Sequence, residues 1–267
     1  MQAGISTACL YPMLLEKSFS TLVSMGFRHY EVFVNTFSEL GKDYLVKLKQ
    51  TADESGSTIR SVHPFTSGYE SFLMFSEYKR RFEDSLEFYK RYLRACNLLG
   101  AEILVLHGRK RDRTGISDEE FFDRYLRLYK LGREFGVTVA QENVNLFCSD
   151  DPLFIRKMRR ACGNDCAFVL DIKQAVRGGV NPYEMCDAMG EKICHVHIND
   201  NSAGSDCLLP GFGDMDYARL IHALEHFGYR GSLIIEVYRK SFGELCDLFK
   251  AKKTVESLLK NLIKADN

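Results

Sequence analysis

The stretch AEILVLHGRKRDRTGISDEEFFDRYLRLYKLGREFGVTVAQEN, residues 101–143, decides the fold. It opens on a short β-branched run at 101–107, crosses a polar segment, and becomes amphipathic at helical spacing over 118–135. Gly136 then stops the helix, and a second β-branched run follows to Asn143. Strand, helix and strand in that order make a parallel βαβ unit. The same unit recurs on either side. Strand-like runs stand at 4–10, 29–34, 57–63, 167–172, 193–200 and 232–238, with amphipathic stretches at 39–54, 69–99, 214–227 and 241–263. Eight such strands in 267 residues fit one closed (β/α)₈ TIM barrel, a single domain over 1–267. An open doubly wound sheet would carry a glycine-rich fingerprint after its first strand, and none is there.

Composition narrows the function before any site is considered. Lys plus Arg number 36 against 36 Asp plus Glu, so the formal charge is zero, which argues against binding nucleic acid or acidic membranes by bulk charge. No apolar run approaches the roughly 18–20 residues of a membrane span. The first twenty residues lack a basic segment followed by an apolar one, so they do not read as a signal peptide, and a cytoplasmic location is expected. Nine cysteines, an odd number with no C-x-x-C pair, read as reduced thiols packed as small hydrophobes.

Glycines 26, 56, 100, 136 and 228 each end a helix just before a strand and belong to the bottom of the barrel. Function belongs to the opposite face, at the C-terminal strand ends. Those ends read His63, His107, Glu142, Asp171, His197 and Glu236. Strand alternation puts Glu142 on the face of Thr138 and Ala140, Asp171 on that of Ala167 and Val169, and Glu236 on that of Ser232 and Ile234. These faces carry small or β-branched residues suited to a barrel interior. Three carboxylates converging at one mouth would repel one another unless protons or a cation neutralised them. A divalent metal resolves this, and a mixed carboxylate and imidazole set suits Mn²⁺, Mg²⁺, Co²⁺ or Zn²⁺. The expected ligands of one such ion are Glu142, Asp171, His197 and Glu236.

The strand order, with Gln141-Glu142-Asn143, Leu170-Asp171-Ile172, the run HVHIND at 195–200, PGFGDMD at 210–216 and Ile234-Ile235-Glu236, resembles the xylose-isomerase-like barrel superfamily over essentially the whole chain. That superfamily holds sugar isomerases and epimerases and also the endonuclease IV type of DNA-repair enzyme. The resemblance implies that the glutamates matching Glu142 and Glu236 both bind the metal and shuttle the proton, with Asp171 and His197 completing the ligand set. This sequence departs from the pattern at two places. Gln174 stands where a histidine often follows the strand-six aspartate, and residues 201–205 replace an arginine that commonly holds substrate hydroxyls in ketose epimerases. The three-zinc repair site needs histidines near 174 and in the loop at 206–208, which this chain lacks, although His63 and His107 match two of its ligands.

The remaining polar residues of the functional face have assignable roles. His63 and His107 would bind substrate hydroxyls or a second, weaker metal, and Gln174 would orient substrate through its amide. Asp200 is expected at the substrate. Arg109, in the basic run 109–113, reads either as part of an anion clamp or as part of a solvated loop. The loop 199–213 is long for a βα connection and reads as a lid or binding loop. His195 lies one pleat below His197 and reads as a satisfied interior histidine. Glu31 lines the pocket floor or sits in a buried ion pair.

The reaction expected from this set is metal-dependent isomerisation or epimerisation of a small ketose or keto-polyol through an enediolate, with Glu142 and Glu236 moving the proton. Rival readings are a dehydratase or lyase using the same enediolate, an endonuclease IV-like repair enzyme, and a non-catalytic sugar-binding barrel. The expected partners are a small sugar substrate and further copies of the chain as a homodimer or homotetramer, with no nucleic acid and no membrane.

Overall fold

A computed structural model describes residues 1–111 and 115–265. Eight parallel strands close into a barrel: β1 (Gln2–Ser6), β2 (His29–Phe33), β3 (Thr58–His63), β4 (Ile103–Leu106), β5 (Thr138–Glu142), β6 (Phe168–Asp171), β7 (Ile193–Ile198) and, after a small hairpin of β8 (Asp200–Ser202) and β9 (Ser205–Leu208), β10 (Ser232–Ile235). Each strand pairs with its sequence neighbour, and β10 pairs with both β7 and β1, so the barrel has no free edge. The (β/α)₈ barrel read from the sequence is the observed fold. Among the described residues no helix is long and apolar enough to cross a membrane.

The helices follow in chain order: α1 (Leu15–Ser24), α2 (Lys42–Glu54), α3 (Glu70–Leu73), α4 (Lys79–Leu99), α5 (Asp118–Glu134), α6 (Pro152–Cys162), α7 (Ile172–Arg177), α8 (Pro182–Met189), α9 (Tyr217–His226) and α10 (Leu245–Ala265). Their apolar faces pack on the outside of the strands, with Phe19, Phe27, Tyr89, Tyr92, Phe121 and Tyr125 fully buried. Tyr125 also has its hydroxyl satisfied, donating to the Val139 carbonyl at 2.9 Å. At the bottom of the barrel Gly100 (φ 72°) closes α4 and Gly136 (φ 70°) follows α5, as the helix-stop reading requires.

Among the boundaries that differ from those read in the sequence, two shape the top face. The first strand stops at Ser6 rather than continuing to residue 10, because the Ser6 hydroxyl accepts from the Ala8 amide and starts a 3₁₀ turn at Thr7–Leu10. The stretch 69–99 is broken between α3 and α4. The break turns Glu70 inward, where its carboxylate accepts from Tyr89 (2.6 Å) and from the Gly108 amide (2.5 Å). Burial pushes this carboxyl up to about 8, opposed by those hydrogen bonds. The turn after His107 is thereby fastened to the loop after β3.

Candidate metal centre

Four side chains meet at the top of the barrel axis. Glu142, Asp171, His197 and Glu236 each offer one atom, and these atoms all lie within 4.8 Å of one another. His197 Nδ1 is 3.2 Å from Glu142 Oε1, 3.5 Å from Asp171 Oδ2 and 3.8 Å from Glu236 Oε2. Ligand atoms about 2.0–2.2 Å from a common ion would stand at such separations from one another. Barrel topology sets the meeting. Asp171 lies opposite His197 across β6 and β7, and the Glu236 amide donates to the Ile198 carbonyl at 3.0 Å. Glu142 pairs with Val169, two residues below Asp171, and the tilt of the strands brings the two carboxylates to one level.

The residues flanking Glu142 hold its neighbours. Asn143 donates through Nδ2 to the Asp171 carbonyl and accepts from the Asp171 amide, both at 2.8 Å. Gln141 Nε2 donates to the His107 carbonyl at 2.8 Å. The Gln-Glu-Asn run therefore ties β5 to the strand ends on either side of it.

Asp171 divides its two oxygens. Oδ1 caps α7 by accepting from the Gln174 amide at 2.9 Å, whereas Oδ2 is buried without a hydrogen-bond partner. A buried carboxylate oxygen without a donor is costly; the Lys173 ammonium stands 3.5 Å away, beyond a good hydrogen bond, and a divalent ion would satisfy the oxygen directly. His197 is divided in the same way. Its Nε2 faces Glu31 Oε2 at 2.9 Å, which fixes a proton on that nitrogen and leaves Nδ1, facing the three carboxylates, as the atom that can ligate an ion once its own proton is displaced. The donor set thus fits one divalent ion.

Glu31 is the support that the sequence left open. Fully buried on β2, it faces both His195 Nε2 (3.1 Å) and His197 Nε2, and it accepts from the Ser61 hydroxyl at 2.9 Å. Burial raises its carboxyl, but the imidazoles of His197 and His195 outweigh that and hold it well below the usual range. Of the two readings of Glu31, the buried ion pair is the one observed: it lies beneath the four-residue cluster, paired with His195 and His197, and does not line the cavity.

Burial dominates at the ligands as well. It pushes Asp171 up to about 6, opposed mainly by Lys173. Burial likewise raises Glu142, but His107 overrides it, and the Glu142 carboxyl lies well below its usual range. Burial lowers His197, yet the carboxylates of Glu31 and Glu236 carry it well above its ordinary value.

Beside this cluster opens a cavity of about 470 Å³, within the usual size range for small-molecule sites. His63, His107, Glu142, Lys173, Gln174 and Glu236 line it, with Phe33, Phe65, Tyr11 and Tyr238 as apolar walls. The imidazoles of His63 and His107 touch through their Nε2 atoms (3.1 Å), and Glu142 Oε2 lies 2.9 Å from His107 Nε2 and 3.7 Å from His63 Nε2. These three residues also form a cluster able to hold a cation. Gln174 lines the cavity, its amide oxygen accepting from the Asn145 amide at 3.2 Å.

Two residues expected at the substrate lie elsewhere. Arg109 points away from the cavity, donating to the Ile116 carbonyl and to Asp118 (2.5 Å) at the start of α5. Arg111 is likewise paired, with the buried Asp150. Asp112 and Arg113 of the same run lie outside the described residues. Asp200 accepts from the amides of Asn201, Gly211 and Met215, each at 2.9 Å, and so organises the loop around the β8–β9 hairpin. Both corrections have one cause: each side chain already has partners from its own loop or the next helix. Lys173, which the sequence reading passed over, is instead a cavity residue. Its ammonium lies 2.5 Å from Glu236 Oε2.

Comparison with known proteins agrees with this architecture. A protein of Mycobacterium leprae (strain TN), described as uncharacterised, is 24% identical over 270 residues, covering 90% of each chain. The crystal structure of a D-tagatose 3-epimerase-like protein superposes with a TM-score of 0.80 at 18% identity over the whole of both chains. An L-ribulose 3-epimerase gives 0.78 at 16% identity, covering 100% of this chain and 97% of that one. The apo 3-keto-D-glucoside 4-epimerase from E. coli gives 0.77 at 16% identity, covering 96% and 99%. The model of one family matches residues 19–264, nearly the entire barrel, and the chain belongs to that family, the xylose isomerase-like TIM barrels.

Proposed function

We propose that this protein is a divalent-metal-dependent isomerase or epimerase of a small ketose or keto-polyol. The observation that carries the reading is the pair Glu142 and Glu236: two carboxylates from non-adjacent strands face one cavity and share a donor cluster with Asp171 and His197. The sugar epimerases with the same fold support it. The ion, Mn²⁺ or another of similar preference, supplies Lewis acidity to a carbonyl and its neighbouring hydroxyl, which makes the adjacent C–H more acidic. Glu142 and Glu236 are the proton-transfer groups. One carboxylate takes the C–H proton as the electron pair moves to the carbonyl oxygen, giving the enediolate. The other, entering the step protonated, gives its proton to the opposite face for epimerisation, or to the neighbouring carbon for isomerisation. His63 and His107 border the cavity at the Glu142 side, where neutral imidazole can donate to or accept from a sugar hydroxyl, and Gln174 presents its amide from the first turn of α7. The aromatic walls favour the apolar face of a sugar ring.

The test is incubation with a panel of ketoses, inososes and 3-keto-glycosides in D₂O with Mn²⁺, followed by NMR. Deuterium appearing at the carbon next to the carbonyl, and lost in Glu142→Gln and Glu236→Gln, is the expected result. Release of water or an aglycone would instead identify a lyase. Tight binding without exchange across the panel would identify a sugar-binding protein and overturn the proposal.

A further inference from the structure

We propose that Lys173 is the site's own cation: its ammonium contends with the divalent ion for two of the three donor oxygens and, when they go to the ion, serves an oxygen of the bound ketose. The first half stands on geometry alone; the second rests on the isomerase reading above. Lys173 Nζ lies 2.5 Å from Glu236 Oε2 and 3.5 Å from Asp171 Oδ2. These are the same two atoms that stand 3.8 Å and 3.5 Å from His197 Nδ1. One ammonium therefore occupies half of the ion's donor set.

The placement is built rather than incidental. Lys173 is the second residue of α7, two positions after the Asp171 cap. The helix is fixed at its start by Asp171 Oδ1 on the Gln174 amide and at its end by Arg177. Arg177 pairs with Asp206 of the hairpin and donates to the Tyr238 hydroxyl at 2.6 Å. The Tyr238 ring in turn lies 5.1 Å from Lys173 Nζ, so the ammonium is held between an aromatic face and Glu236. An ammonium has three donors. Glu236 takes one, Asp171 is at the limit of a second, and Lys173 lines the cavity where substrate would sit.

Charge explains why such a residue would be kept. Glu142, Asp171 and Glu236 carry three negative charges, which Lys173 and a divalent ion together cancel. The ammonium also repels the ion at short range, so it weakens ion binding. A neutral side chain would leave a tighter metal site. What the lysine adds is a donor beside Glu236, opposite the imidazoles beside Glu142. There it can hold the substrate oxygen that gains charge as the C–H proton leaves.

The experiment titrates chelator-stripped wild type, Lys173→Met, Lys173→Gln and Lys173→Arg with Mn²⁺ by calorimetry, with circular dichroism as the check on folding. The two neutral variants are expected to bind Mn²⁺ about 10- to 100-fold more tightly, and the arginine variant to stay near wild type. Unchanged or weaker binding in both neutral variants, with the fold intact, would overturn the contest for the ion. With Mn²⁺ saturating, Lys173→Met should still lose at least about 100-fold in kcat/KM on the ketose that the wild type converts. Retained kcat/KM would overturn the substrate half. A wild type inactive on every ketose would remove the substrate half together with the isomerase reading, while the Mn²⁺ titration would still decide the first half.

Discussion

Glu31→Gln isolates the support beneath the ion without touching the ion's ligands. Glu31 Oε2 is 2.9 Å from His197 Nε2 and 3.1 Å from His195 Nε2, and it is fully buried. The glutamine has the same shape, so the barrel is expected to fold. It loses the negative charge that holds the Nε2 proton on His197, and its amide can turn an N–H toward that nitrogen instead. If it does, the proton moves to Nδ1 and the ligand lone pair is lost. Removing the partner of a metal-binding imidazole costs about 10- to 100-fold in metal affinity, or about 1.4–2.8 kcal/mol. The chance of tautomer reversal puts Glu31→Gln at the upper end. Glu31→Ala is a harsher change. It leaves two buried imidazoles without their acceptor and is expected to cost about 3–5 kcal/mol in stability. Calorimetric titration with Mn²⁺ near neutral pH, alongside thermal unfolding, separates the two effects. A Glu31→Gln protein that melts normally and binds Mn²⁺ within about twofold of wild type would refute the claim that Glu31 sets the His197 tautomer.

Three further outcomes follow from the same geometry. Asp171 is raised to about 6 from its usual 3.8, so its protonated form is favoured in the fold. Its contribution to the stability of the protein without ion is full below about 3.8 and lost as pH rises through about 6, and ion binding must displace that proton. Mn²⁺ affinity should therefore fall by about tenfold per pH unit below about 6 for each proton displaced, and titrations in buffers of different ionisation enthalpy would show the protons released. Since His197 is held well above its ordinary value, about one proton should already be released near neutral pH; a pH-independent affinity between about 5 and 7 would contradict both shifts. Asp171→Asn should keep the α7 cap yet lose tight ion binding, whereas Asp171→Ala should lose both and melt lower by about 1 kcal/mol of cap energy. Arg109→Ala should reduce stability by about 1–3 kcal/mol through the lost contacts to Asp118 and Ile116, with KM unchanged. A raised KM at unaltered melting temperature would return Arg109 to the substrate.

The difference between Asp171 and Arg109 shows what can be read from a chain of this kind. Asp171, Glu142, His197 and Glu236 sit at fixed places in a repeating βα unit, and strand alternation decides which way they point. Covalent position alone brings them to the axis once eight units close. Arg109 and Asp200 also stand at the functional face, but whether they reach the cavity depends on rivals for their hydrogen bonds. Asp118 for Arg109, and the Gly211 and Met215 amides for Asp200, lie nine to fifteen residues away along the chain in segments whose path no periodicity describes. Glu31 fails for a third reason. Its partners His195 and His197 are 164 and 166 residues distant and meet it only across the closed barrel, so the sequence shows an inward carboxylate without showing what it is for. Lys173 is the hardest case. A lysine in the first turn of a helix ordinarily reads as solvated, whereas this one is buried and paired with Glu236 across the barrel mouth. Backbone position is legible from pattern; hydrogen-bond allegiance is settled by which competitor lies nearer in space. That is why the four residues of the candidate metal cluster could be named from the sequence, while Glu31 below it and Lys173 beside it required the folded barrel.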